Sequence, residues 1–285
     1  MERRKLKKYS GENGKDPIIT FEQAKNMNTI NIDGLAKDFS KHSFWHYTKV
    51  QSLAKIFDAN GTDYTLLCNR LDNMNDLAER KRLNAQNVFV TCFCNTDSEK
   101  IPMWYLYASL TGNGVAIGLT PLKMLEFLKS LKYVYGNRKE NGEIKNRERI
   151  SLEQLEIKCG WMYYVQYERN KTKFYYNEHF YEISDFDRNC NDFYFLKAYP
   201  WNYEKEFRIV VTDKEKRNFD SLSLPIPKEI AKQMKLKKEK KSKITQYSLP
   251  MSQSKIRESE LDIKMDLLER HKDEVIDYIK SKLNK

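Results

Sequence analysis

The sequence predicts an α+β fold, and three observations carry that reading. Runs rich in aromatic and β-branched residues recur at 44–48, 62–69, 88–94, 115–119, 160–167 and 207–211, each the length of one strand. Helical patterns are short and fall between these runs without the regular alternation a parallel sheet requires. At 285 residues, with 13% aromatic residues, the chain has enough apolar surface for one large buried core.

The first 40 residues are polar and broken by Gly11, Gly14 and Pro17, which predicts a flexible arm with one short helix. After the strand at 44–48, Thr48 is placed to cap a helix whose apolar stripe runs through Val50, Leu53, Ala54, Ile56 and Phe57. Asn60-Gly61 stops it, and a polar helix carrying Asn75, Asp76 and Glu79 follows the next strand. Residues 88–94 are the strongest strand signal of the first half. Behind them Met103, Trp104, Tyr107 and Leu110 repeat at helical spacing. Gly112-Asn113-Gly114 turns the chain into the strand 115–119, and Thr120-Pro121 supplies an N-cap and first-turn proline for a helix over 122–131. A strand at 132–135 and a charged hairpin or loop at 137–148 come next.

The tyrosine-rich, charged stretch 171–192 reads as partly helical. Beyond Asp213 the chain turns basic, and 254–283 carries an apolar stripe through Ile263, Leu267, Leu268, Val275, Ile279 and Leu283 that predicts a long C-terminal helix. The expected organisation is an arm (1–40), an α+β core (41–213) and a basic extension (214–285).

A net charge of +11 favours anionic partners, nucleic acid first. The run 235–241, with Lys235, Lys237, Lys238, Lys240 and Lys241, either tracks phosphates or is simply solvated. No apolar run is long enough to span a bilayer, and the basic start lacks a secretory apolar region, so a cytoplasmic protein without membrane contact is expected. The five cysteines have no Cys-x-x-Cys spacing and the four histidines are scattered, so no metal site is expected. Cys92 and Cys94, two apart on a strand, suit a reduced core.

The most informative stretch is 201–211. Glu204 and Glu206 stand at the mouth of the strand 207–211, and on an extended chain residues two apart share a face, with Arg208 continuing the row. Paired like charges raise at least one pKa, and a guanidinium lowers it again, which suits acid/base or oxocarbenium chemistry. A cross-strand Glu/Arg ladder on a surface strand is the other reading. No Ser/His/Asp or glycine-rich phosphate-loop pattern competes.

His46-Tyr47-Thr48, Asn75-Asp76 with Glu79, Met103-Trp104 with Tyr107, and Trp201 with Glu204, Glu206 and Arg208 occur in an order that resembles a widespread bacterial family of unknown function. The same order looks like a remote ADP-ribosyltransferase. That resemblance implies a split β-sheet core and NAD as substrate. His46-x-Thr48 lies where that fold binds NAD, Thr91-Cys92-Phe93 lies where it carries a serine run, and Glu204-x-Glu206 stands where its catalytic glutamates are. Tyr47 replaces a glycine of that pattern, and the serines are absent. The resemblance implies that Glu206 contacts the ribose 2′-hydroxyl and that Glu204 orients or deprotonates the acceptor. It further implies that His46, Tyr47, Thr48, Asn75, Asp76, Thr91, Trp104, Tyr107 and Arg208 line the NAD site, with Trp104 or Tyr107 stacking on nicotinamide.

The expected activity is NAD-dependent ADP-ribosyl transfer, or NAD hydrolysis, on an intracellular nucleic-acid or protein acceptor. Such bacterial proteins act as toxins or in antiviral defence, with an antitoxin or immunity partner. The alternative is a non-enzymatic basic module that binds nucleic acid. A single cleft shared by His46 and Glu206, with Thr91 at its floor, separates the two.

Overall fold

The computed structural model describes residues 18–20, 22–24, 29–30, 42–57, 64–82, 84–95, 101–108, 114–141, 143–167, 172–176, 179–184 and 194–238. The first half comprises β1 (Ile18–Ile19), β2 (Thr29–Ile30), β3 (Phe44–Lys49), α1 (Val50–Phe57), β4 (Tyr64–Arg70), α2 (Leu77–Arg80), β5 (Val88–Asn95), α3 (Ile101–Met103) continued by a π-helical turn Trp104–Ala108, β6 (Gly114–Leu119) and α4 (Pro121–Ser130). The second comprises β7 (Tyr133–Glu140), β8 (Glu143–Ser151), β9 (Leu155–Trp161), β10 (Tyr163–Tyr167), β11 (Thr172–Tyr176), β12 (His179–Ile183), β13 (Leu196–Ala198), a 3-10 turn Tyr199–Glu204, β14 (Glu206–Asp213), β15 (Ser221–Ile226), α5 (Lys228–Ala231) and β16 (Lys235–Lys238). The fold is α+β, with mostly antiparallel strands in two sheets. None of the described helices is long and apolar enough to cross a membrane.

The larger sheet is organised on β5, whose residues 88–94 are almost wholly apolar because both of its faces are covered. On one side β14 pairs along nearly its full length, from Glu206 opposite Cys94 to Thr212 opposite Val88, and β9 and β2 follow beyond. On the other side two strands share the edge. β3 pairs at one end (Trp45 opposite Cys94) and β4 at the other (Asn69 opposite Val90). The sheet therefore forks. One branch continues through β6 to β16, and the other through β15 and β7 to β8. The smaller sheet, in the order β1-β12-β11-β10-β13, is antiparallel except at its two ends.

Alternation along β5 and β14 separates two apolar environments. Phe93, Phe207, Ile209 and Val211 face the main core with Phe44 and the Val50, Leu53 and Ile56 stripe of α1. Val88, Val90 and Val210 face the other way, against Tyr163, Phe174 and Leu196 of the smaller sheet. Trp45, Tyr47, Cys94, Met103 and Trp104 form a third cluster on that second side. The charged residues described below lie between the second and third clusters.

Thr120 caps α4, accepting from the Lys123 amide at 3.3 Å, with Pro121 in the first turn, as the sequence predicts. The structure departs from expectation in five places. The first aromatic strand runs past Thr48 through Lys49, because the ladder to β6 carries it to the start of α1. The stretch 171–192 contributes the strands β11 and β12, whose tyrosines and phenylalanines gain cross-strand ring contacts that a helix would not offer. The core does not end at Asp213, since β15 lies between β4 and β7 and buries Leu222 and Leu224. The basic run opens as the edge strand β16 rather than as a solvated tail; its lysines suit an edge, where charge discourages further strand pairing. Within the expected arm, Ile18–Ile19 and Thr29–Ile30 join the two sheets. The predicted C-terminal helix lies outside the described residues.

Candidate active site

Two acidic side chains of the motif strand converge, but not by the route strand alternation implies. Glu204 is the last residue of the 3-10 turn Tyr199–Glu204, Lys205 adopts a left-handed conformation (φ 45°), and only Glu206 belongs to β14. The left-handed link folds Glu204 back over Glu206, and both carboxylates meet one amine. Lys197 of β13 donates to Glu204 Oε2 at 2.5 Å and to Glu206 Oε2 at 3.1 Å. The Tyr107 hydroxyl donates to Glu204 Oε1 at 2.5 Å.

Arg208, two residues along β14 and fully buried, ties this pair to a third carboxylate. Its Nε donates to Glu206 Oε1 at 2.7 Å, and its Nη1 donates to Glu79 Oε1 at 2.7 Å and to the Tyr194 carbonyl at 3.0 Å. The Glu206 amide donates to the Tyr164 hydroxyl at 2.9 Å, and the Cys92 thiol lies beside the Glu206 carboxylate. Charges this deeply buried persist only when paired and hydrogen-bonded. Glu79, Lys197, Glu204, Glu206 and Arg208 form one such chain.

The chain drives its two glutamates apart. Burial and the charge of Glu206 raise Glu204, against the pull of Lys197 and the Tyr107 hydrogen bond, to about 7. Burial also disfavours the charge on Glu206, but Arg208 and Lys197 outweigh it and hold its carboxyl well below the usual range. Burial and the neighbouring Glu204 push the Tyr107 hydroxyl up, and burial and Glu206 push up the Cys92 thiol, so both stay protonated as donors. Lys197, although buried, is held charged by Glu206 and Glu204. Its ammonium also lies 4.6 Å from the centre of the Trp201 ring. Cys92, Tyr107, Trp201 and Tyr203 are half-buried and mark the side on which the cluster approaches solvent.

The pH dependence of stability follows. Glu204 binds its proton more tightly folded than unfolded, so its contribution is complete below 4.5 and fades as pH rises through about 7, by about 3 kcal/mol in all. Glu206 acts oppositely: its contribution is present above the unfolded value and fades as pH falls through the lowered one. Thermal unfolding is therefore expected at a higher temperature at pH 5 than at pH 8, with the difference largely gone in Glu204→Gln. Equal midpoints in the wild type would refute the split.

The remaining sequence candidates divide by face. Glu206, Arg208, Cys92, Tyr47, Trp104 and Tyr107 are on one side of the large sheet. His46, Thr48 and Thr91 are on the other, because His46 and Thr48 alternate with Trp45 and Tyr47, and Thr91 lies opposite Ile209 rather than Arg208. His46 and Glu206 therefore do not share a cleft. His46 instead closes the fork. Where β3 diverges from β5, its Nδ1 donates to the Cys92 carbonyl at 2.9 Å, replacing the ladder bond lost there, and its ring packs on Phe93. Burial lowers its pKa and keeps it neutral.

Trp104 packs edge-on against Tyr47 at 4.8 Å and is 5% exposed, which makes it core rather than a stacking platform. Asp76 caps α2 through Ala78 and sets Glu79 inward, while Asn75 is exposed. Lys235 donates to the Ser43 hydroxyl and Lys237 lies 3.8 Å from the Trp45 ring centre, with Lys238 exposed at the end of β16. Lys240 and Lys241 lie outside the described residues. Sequence reasoning missed Lys197, Tyr164 and the Glu79–Arg208 pair. The signal for Lys197 was one lysine inside the apolar run 193–199.

Compared with family models, curated proteins and solved structures, the chain finds no match.

Proposed function

We propose that the chain is an enzyme that breaks the nicotinamide–ribose bond of NAD and passes ADP-ribose to an acceptor or to water, with Glu204 and Glu206 as its working carboxylates. The observation that carries this reading is one lysine holding two glutamates, one pushed up to about 7 and the other held ionised. Cleavage at the ribosyl carbon builds positive charge on the sugar, which a fixed carboxylate stabilises, and it needs a partner that exchanges a proton near neutral pH. Glu206 suits the first task and Glu204 the second, taking the proton of the incoming hydroxyl or water. The cluster holds three acids against two bases, so it favours positive charge developing on the sugar. The resemblance of the motif order to ADP-ribosyltransferase-like bacterial proteins adds the expectation of an intracellular toxin or defence effector acting on nucleic acid.

Purified protein incubated with NAD is expected to release nicotinamide, faster when single-stranded nucleic acid or cell lysate is present. No release under any of these conditions would remove the enzyme reading. The second reading, a nucleic-acid-binding module without chemistry, is favoured by one observation. Every oxygen of Glu204 and Glu206 already accepts a hydrogen bond, as in a purely structural ion network.

A further inference from the structure

We infer that the outer face of the β7–β8 hairpin is a binding surface for single-stranded nucleic acid, which rests on the reading above only in supplying an acceptor to it. Tyr133 and Tyr135 stand two apart on β7, half-buried, with their rings edge-to-face at 5.2 Å. Across the ladder, Arg149 and Arg147 lie over those rings, their guanidinium carbons 3.8 Å and 5.4 Å from the ring centres. Both arginines are exposed, and neither pairs with a carboxylate among the described residues. The contrast within the hairpin is informative. Arg138, on the opposite face, approaches Glu148 at 3.8 Å, and the nearby Arg217 is committed to Asp213. The hairpin thus sets Glu148 on one face and leaves on the other two guanidiniums, layered on aromatic rings and without a carboxylate partner among the described residues, while Glu140 and Glu143 pair across the ladder at its tip.

That chemistry matches a single strand more closely than a duplex. Unpaired bases expose faces that stack on tyrosine and arginine planes, while arginine edges take phosphate oxygens. A duplex buries its base faces and would use only the charge. At the hairpin's outer end exposed Lys139 and Lys145 stand beside Glu140 and Glu143, so the positive potential is centred on Arg147 and Arg149.

The register also places this surface with respect to the carboxylate cluster. Arg147 pairs with Asn137, Asn137 with Ser221, Ser221 with Asn69, Asn69 with Val90 and Val90 with Val210. Paired residues of antiparallel strands share a face, so Arg147 lies on the same side of the sheet as Val210 and, two residues along β14, Arg208. Five strand spacings of roughly 4.8 Å, about 24 Å, separate the rows, and the smaller sheet covers Val90 and Val210 between them, so the hairpin surface stands apart from the carboxylate cluster.

The test is an anisotropy titration of the full chain against a labelled single strand of about 16 nucleotides at several salt concentrations. The wild type is expected to bind, with affinity falling steeply as salt rises. Arg147→Glu combined with Arg149→Glu should weaken binding about ten-fold or more and lower the salt slope by about two. Tyr135→Leu should weaken binding about ten-fold with the slope retained, because it removes stacking and not charge. All three residues are remote from the carboxylates, so nicotinamide release measured without nucleic acid should be unchanged, which also shows that the variants are folded.

Absence of binding by the wild type, unchanged binding by the double variant, or equal affinity for a duplex would overturn the inference. So would loss of binding on Lys240→Glu with Lys241→Glu while the hairpin variant binds normally, which would place the contact in the basic extension. Binding that follows the hairpin variants in a protein releasing no nicotinamide would leave this surface standing and remove only the chemical reading.

Discussion

Replacing Arg208 by methionine is expected to lower the melting temperature by about ten degrees or more, the largest stability effect of any substitution in the cluster. Arg208 is 0% exposed and holds Glu79 and Glu206, which are 0% and 4% exposed. Without the guanidinium, two carboxylates remain in a medium that cannot solvate them, and removing one partner of such a buried network costs about 3–5 kcal/mol. For a chain of this size each kcal/mol shifts the midpoint by about 2–4 °C. Adding Glu79→Gln to Arg208→Met should recover part of the loss, because it removes one of the uncompensated charges. The two substitutions should therefore be clearly non-additive in a double-mutant cycle. A midpoint within two or three degrees of wild type for Arg208→Met would show that the network contributes little to stability.

Glu204→Gln is expected to reduce nicotinamide release by about 10²–10⁴-fold, the contribution usually made by a positioned acid or base. The amide keeps the shape of the side chain and an oxygen that can accept from Lys197 or Tyr107, but it cannot exchange a proton at neutral pH. The pH profile is the sharper measurement. Wild-type activity should rise through a limb near 7 as Glu204 ionises, and that limb should be absent from the residual activity of Glu204→Gln. A retained limb would mean that another group titrates there. Glu206→Gln should lose comparable activity, but with a lower melting temperature as well, since Arg208 and Lys197 both lose an anionic partner. Loss of activity with stability retained at Glu204, against loss of both at Glu206, separates the proton-transfer group from the fixed charge.

The sequence alone determined the elements whose signals are local. The strands β5, β6 and β14 were legible because apolar, β-branched runs of strand length have few alternatives, and α4 because Thr120 and Pro121 mark its start. It also determined that Glu204, Glu206 and Arg208 belong together, since they lie within five residues of one another. It did not resolve the strands at 172–176 and 179–183, because a tyrosine-rich, charged segment shows neither period; these strands exist only because neighbouring strands complete their hydrogen bonds, and 185–192 lies outside the described residues.

Tertiary structure decided the rest, and register is the physical reason. Because side chains alternate with a period of two, the face on which His46 or Thr91 falls depends on how β3 and β14 align with β5, a long-range quantity that neither strand encodes by itself. The same alignment set His46 to mend the fork and brought Lys197 from a separate sheet onto both glutamates. The left-handed Lys205, invisible in composition, turned two carboxylates two residues apart into a pair sharing one amine. Burial then completed what spacing began, for it is desolvation in the folded protein that raises Glu204 toward neutrality and makes the surrounding charges strong enough to hold Glu206 ionised.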